Sequence, residues 1–183
     1  SSPGDVPEER KIVRTAIQQL AKEFRDDWSV LLESVAWDSP EDDTVMSAGT
    51  TPQEAINQGL AIPSECDMTV VILWSRMGTP LPPEYLKPNG ERYESGTEWE
   101  FLDAMNGRSV RPDRPPEVLV YRRTEEPNLS PADPELDAKL QQWGKVQTFF
   151  QQFRNPDGSL RGSVNEYNGV EDFPKRFPRH WRH

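Results

Sequence analysis

At 183 residues the chain can bury a full core as one domain. Its formal net charge of −10, from 31 acidic against 21 basic side chains, excludes a broad electrostatic footprint for DNA, RNA or an anionic membrane surface. A small anionic ligand held by local basic groups stays compatible with this balance. The single cysteine, Cys66, allows no internal disulfide and reads as a reduced, buried thiol of a cytoplasmic protein. A cysteine nucleophile would want a histidine base, and His180 and His183 both stand at the C-terminal end. The longest apolar stretch, Val70 to Trp74, is far too short to span a membrane, and no signal peptide is visible. Without an initiator methionine, Ser1 reads as a cut or trimmed end.

In chain order, Asp5-Val6-Pro7-Glu8 predicts a helix start, with Asp5 as N-cap and Glu8 reaching back. Ile12, Val13, Ala16, Ile17, Leu20, Ala21 and Phe24 follow at helical spacing and make one apolar stripe. The segment from Val30 to Trp37 suits a short strand, and a polar loop is expected from Asp38 to Gly49. Thr51-Pro52-Gln53-Glu54 is a capping box for a short helix through Ala55, Ile56 and Leu60. Met68 to Trp74 is nearly continuous and β-branched, the pattern of a strand buried on both faces of a parallel sheet.

A proline-rich loop from Arg76 to Gly96 is long enough to suggest function or mobility. Ser95-Gly96-Thr97-Glu98 then starts a helix expected to end near Asn106-Gly107. Val118 to Tyr121 predicts a strand, and Asp133-Pro134 opens a helix carrying Leu136, Leu140, Trp143, Val146 and Phe150. Asn155-Pro156-Asp157-Gly158 is a turn, and Pro174 and Pro178 are expected to interrupt any helix through Phe173, Phe177 and Trp181. Alternating helices and strands, with no linker or repeat, predict a single α/β domain over residues 1–183. Its expected form is an open parallel sheet with helices on both faces.

Ligands of such sheets bind beyond the carboxyl ends of the strands. Ser1-Ser2-Pro3-Gly4, Trp74-Ser75-Arg76 and the start of the Ser95 helix are expected to converge there, offering hydroxyls, an indole, a cation and carboxylates. No glycine-rich phosphate loop and no metal-ligand spacing is present, so neither a metal nor a resident cofactor is expected.

Three blocks of the chain carry a family resemblance. Ser1-Ser2-Pro3-Gly4-Asp5-Val6 with Glu8-Glu9-Arg10 resembles the opening of a TIR-like (Toll/interleukin-receptor-like) family found at the N-termini of NACHT, WD-repeat and TPR signalling and defence proteins. The strand running into Trp74-Ser75-Arg76-Met77-Gly78 resembles its second block. Thr97-Glu98-Trp99-Glu100-Phe101-Leu102-Asp103-Ala104 is similar to its Thr-x-x-Glu-aromatic-x-x-Ala helix. The Trp-Cys pair of ordinary TIR domains is replaced by Gly96-Thr97.

The resemblance implies a flavodoxin-like fold whose first strand is missing or lies just upstream of Ser1, in the middle of the sheet. It also implies cleavage of NAD, as substrate, at the nicotinamide–ribose bond, with Glu100 as the catalytic carboxylate. Trp74 would stack on a base and Arg76 would face the pyrophosphate, with Ser1 and Ser2 at the mouth of the cleft. Self-association with other TIR-like domains is the implied mode of activation. A deoxyribosyltransferase-like activity shares the fold and the carboxylate chemistry.

Plainer readings stand beside these. Trp74 also suits core packing, Arg76 a solvated loop, and Ser1-Ser2 a simple strand-to-helix turn, while Trp99, Phe149, Phe150 and Phe153 suit the core. If Ser95 caps its helix, Glu98 is engaged and Glu100 remains free; if Thr97 caps it, Glu100 becomes the capping group. A helical wheel places Glu98 with Leu102 and Met105, and Glu100 at the border of the apolar arc. The alternative function is a non-catalytic TIR-like interaction module.

Overall fold

The computed structural model describes residues 1–28, 31–35 and 61–181. Along them run α1 (Pro7–Trp28), β1 (Met68–Leu73), α2 (Gly96–Val110), β2 (Glu117–Arg123), α3 (Leu136–Gln151), β3 (Asn165–Tyr167) and α4 (Phe173–Trp181). The three named strands form one parallel sheet in the order β1-β2-β3. Ser1 adds to it. Its ammonium donates to the Val70 carbonyl at 2.7 Å, and the Ile72 N–H donates to the Ser1 carbonyl at 3.0 Å, the alternation of a parallel ladder.

The pleat of β1 sends Val71 and Leu73 to one face, where they meet Phe101 of α2 and Val146, Phe149 and Phe150 of α3. Ile72 faces the other way, into Val6 and Ala16 of the α1 segment and Phe173 and Phe177 of α4. Helices therefore cover both faces, as the alternation of elements predicts. Among the described residues no helix is long and apolar enough to cross a membrane.

Several local expectations change. Leu31 to Val35 forms no strand, and Leu31 and Val35 are exposed; the rest of that segment, the polar loop and the Thr51 helix lie outside the described residues. The tail is helical despite its prolines. Pro174 sits in the first turn, where a missing N–H costs little, and Pro178 lies inside the helix. Both phenylalanines there are fully buried, with Phe173 4.8 Å from the Tyr167 ring and Phe177 5.6 Å from the Tyr121 ring. Their burial outweighs the lost hydrogen bond. Phe149 and Phe150 are core as expected, Phe153 packs at the core's margin, and Trp99 is half-buried and belongs to neither cluster.

Gly107 does not end α2, which continues to Val110. A Cβ at Gly107 would sit 2.6 Å from Pro116 Cγ and 3.1 Å from the Ser64 carbonyl, so the glycine lets the helix lie against the entries to β1 and β2. Gly107→Ala is expected to destabilise the fold by roughly 1–3 kcal/mol through overpacking, measured by urea unfolding.

Burial pushes the Tyr121 hydroxyl from 10.0 up to about 12. A raised folded pKa means this contribution is full below pH 10 and is lost as pH rises through about 12. Unfolding free energy measured between pH 8 and pH 11.5 should fall above about pH 10, and Tyr121→Phe should lessen that slope.

Candidate functional site at the carboxyl edge of the sheet

The turn that follows Pro3, the loop after β1 and the start of α2 meet at one corner, while Ser1 pairs further back, beside Val71. β1 delivers Trp74, Ser75 and Arg76 beyond the sheet, directly opposite the turn that precedes α1. Asp5 Oδ2 there accepts the Ser75 N–H at 2.9 Å, the Ser75 hydroxyl at 2.9 Å and the Arg76 N–H at 3.1 Å. Asp5 is therefore no N-cap. Its carboxylate crosses to the β1 loop, while Val6 supplies the carbonyl for the first helical bond. The start of α2 closes the same corner. Gly78, at φ 108, brings its backbone to where a Cβ would lie 3.5 Å from Ser95 Cβ, 3.6 Å from Thr97 Oγ1 and 3.9 Å from Pro3 Cβ. That backbone conformation suits glycine alone.

Ser95 caps α2, its hydroxyl accepting the Glu98 N–H at 3.1 Å. Glu98 is fully engaged: one oxygen accepts the Glu94 N–H at 2.7 Å and the other meets Lys87 Nζ at 2.7 Å. Lys87 belongs to a hairpin in the proline-rich loop, closed by the Leu86–Arg92 bridge and tied down by Arg92 Nη2 on the Leu81 carbonyl. That loop is therefore built onto α2. Glu100 is half-buried and makes no hydrogen bond or ion pair with another described residue. Its neighbours one turn either side, Thr97 and Ala104, are both buried, so it stands at the border of the packed face.

Trp74 is partly buried and already engaged. Its indole N–H donates to the Glu125 carbonyl at 2.8 Å, and the Arg123 guanidinium lies 4.0 Å from the ring centroid. Arg76 is exposed, and Ser1 and Ser2 are half-buried. Trp74 and Arg76 stand at the carboxyl edge, while Ser1 lies back in the ladder opposite Val71, short of the end of β1. Glu100 lies across the sheet layer from α1, one turn into α2.

A fully buried carboxylate near this edge is announced by no capping pattern. Glu9 is fully buried, and its Oε1 accepts from Arg123 Nη1 at 3.2 Å and from the Tyr167 hydroxyl at 3.1 Å. Arg123 also pairs with Glu125. Burial, then the charge and hydrogen bond of Glu9, hold Tyr167 far above the ordinary phenol range, so it stays a donor at any physiological pH. One signal was available: Glu9 falls three, four and seven positions before Ile12, Val13 and Ala16, on the apolar stripe itself. The expected partner of the cap, Glu8, is exposed.

Cys66 is half-buried, with its thiol on the Ile62 carbonyl at 3.5 Å, and burial beside Asp67 and Glu65 pushes its pKa up. It is a poor nucleophile at neutral pH. No cluster of three or more metal-ligating side chains occurs among the described residues. Comparison with protein-family models, with curated proteins and with solved structures gave no match.

Proposed function

We propose that the chain is a TIR-like effector domain, of flavodoxin-like fold, that hydrolyses NAD at the nicotinamide–ribose bond when a cytoplasmic immune or defence protein carrying it oligomerises. The observation that supports this most is the state of Glu100. Ser95 is the helix cap and Glu98 is spent on Glu94 and Lys87, which leaves Glu100 as the uncommitted carboxylate of the block that resembles the family. In this reading the Glu100 carboxylate faces the ribose and stabilises positive charge developing at its anomeric carbon as nicotinamide leaves. Water adds to that carbon and loses a proton, giving ADP-ribose, nicotinamide and H⁺. Ser1, Ser2, Trp74 and Arg76 would line the substrate side.

One observation favours a non-catalytic interaction module instead. Trp74 has its N–H bonded and one ring face under Arg123, so its established job is to join β1 to the β2 exit. Turnover as a function of clustering separates the two readings. Fusion to an oligomerising scaffold should raise nicotinamide release per domain well above that of the dilute domain. Equal, background-level release in both forms would leave the interaction module as the better reading.

A further inference from the structure

Four consecutive backbone N–H groups leave the carboxyl end of β1, and each ends on a side-chain oxygen. Ser75 and Arg76 donate to Asp5 Oδ2, together with the Ser75 hydroxyl. Met77 and Gly78 donate to Gln142 Oε1 of α3, at 2.9 and 3.3 Å. The first two of these amides converge on one point at the strand's carboxyl end, the kind of concavity in which α/β proteins hold anionic oxygens, and the next two turn to the opposite helix layer. Here one oxygen of Asp5 receives three donors. The other, Oδ1, is buried and has no hydrogen-bond partner among the described residues. A carboxylate so unevenly satisfied carries a standing desolvation cost on the unpaired oxygen. Arg76 in the same turn is exposed.

We propose that the Ser75–Arg76 turn is an anion seat which Asp5 fills from within, and that a phosphate-bearing ligand engages this edge by displacing the Asp5 carboxylate. The contact is autoinhibitory. An incoming phosphate oxygen takes over the Ser75 N–H, the Ser75 hydroxyl and the Arg76 N–H, and the Asp5 side chain swings out while buried Pro3 and Val6 hold the backbone in place. The inference concerns the seat alone and stands whether or not the domain cleaves NAD.

Inorganic phosphate is the probe, and the full chain is the sample. In Asp5→Asn, the Ser75 and Arg76 amide resonances should shift on phosphate titration, with an apparent affinity at least tenfold tighter than in the unaltered protein. Asp5→Ala should melt roughly 5–10 °C lower than the unaltered protein, since three hydrogen bonds to a charged acceptor are lost. Formate or phosphate should restore at least half of that drop, while sodium chloride at equal ionic strength should not. Equal phosphate affinity with and without Asp5, shifts scattered over other surface amides, or no anion-specific recovery in a folded Asp5→Ala would each overturn the proposal. If Asp5→Ala does not fold, the Asp5→Asn titration decides alone.

Discussion

Glu9→Ala is expected to lower unfolding stability by roughly 3 kcal/mol, one of the largest effects of any single polar substitution in this fold. The side chain is 1% exposed and its partner Arg123 is 12% exposed, so solvent screens neither charge. Removal strips Tyr167 of its acceptor and leaves Arg123 partly uncompensated in a desolvated site. Loss of one partner of a buried pair costs about 3–5 kcal/mol. The lower end applies here because Arg123 keeps Glu125 and the Trp74 ring. For a chain of this length the melting point should drop by roughly 10 °C. Glu9→Gln, which keeps the volume and an acceptor for Tyr167, should cost less. Removing both charges together, as Glu9→Met with Arg123→Met, should cost less than the sum of the single changes. A Glu9→Ala protein within about 1 kcal/mol of the unaltered chain would show that the pair is not formed.

The network also shows why some of the molecule is legible in its sequence and some is not. The helix at Pro7–Trp28, the Ser95 cap and the strands through Val71 and Val120 follow from local signals: apolar periodicity, capping residues and β-branched runs. β3 carries no such signal. Asn165-Glu166-Tyr167 is short and polar, and it is a strand because Arg122 and its neighbours in β2 offer a free edge. α4 forms against its own prolines because Phe173 and Phe177 find Tyr121 and Tyr167 to pack on, a tertiary effect that overrides propensity. Gly107 resembles a stop signal locally and is instead a close-packing position against Pro116.

The same division runs through the site. The meeting of the Pro3–Asp5 turn, Trp74-Ser75-Arg76 and the Ser95 helix follows from topology, since all three stand at the carboxyl edge of one parallel sheet, whereas Ser1 lies further back, opposite Val71. The Ser95 cap follows from the spacing Ser95-x-x-Glu98, but the Glu98 carboxylate closes on the Glu94 N–H and Lys87 rather than back on Ser95, and that engagement leaves Glu100 free of it. Asp5 and Glu9 are different. Their partners lie 70 and more positions away, at Ser75, Arg123 and Tyr167, and no local pattern announces them. Glu9 was readable only as a carboxylate out of place on an apolar stripe.

Glu100→Gln carries the largest functional prediction. The substitution keeps volume and helix propensity and removes the negative charge, so any loss reports electrostatics at the reacting ribose. Because Glu100 has no hydrogen bond or ion pair with a described residue, the variant should unfold within about 0.5 kcal/mol of the unaltered chain. A carboxylate that stabilises an oxocarbenium-like transition state contributes about a hundredfold or more to turnover. Glu98→Gln should behave oppositely, weakening the Lys87 contact and stability while leaving some turnover.

The most direct measurement is nicotinamide release from NAD by the domain held at high local concentration on an oligomeric scaffold, with Glu100→Gln run beside it at matched folding. The account predicts release by the unaltered domain and a loss of at least about a hundredfold in the variant, with the melting point preserved. Equal turnover in the two proteins would contradict the role of Glu100, and no turnover in either would contradict NAD hydrolysis itself.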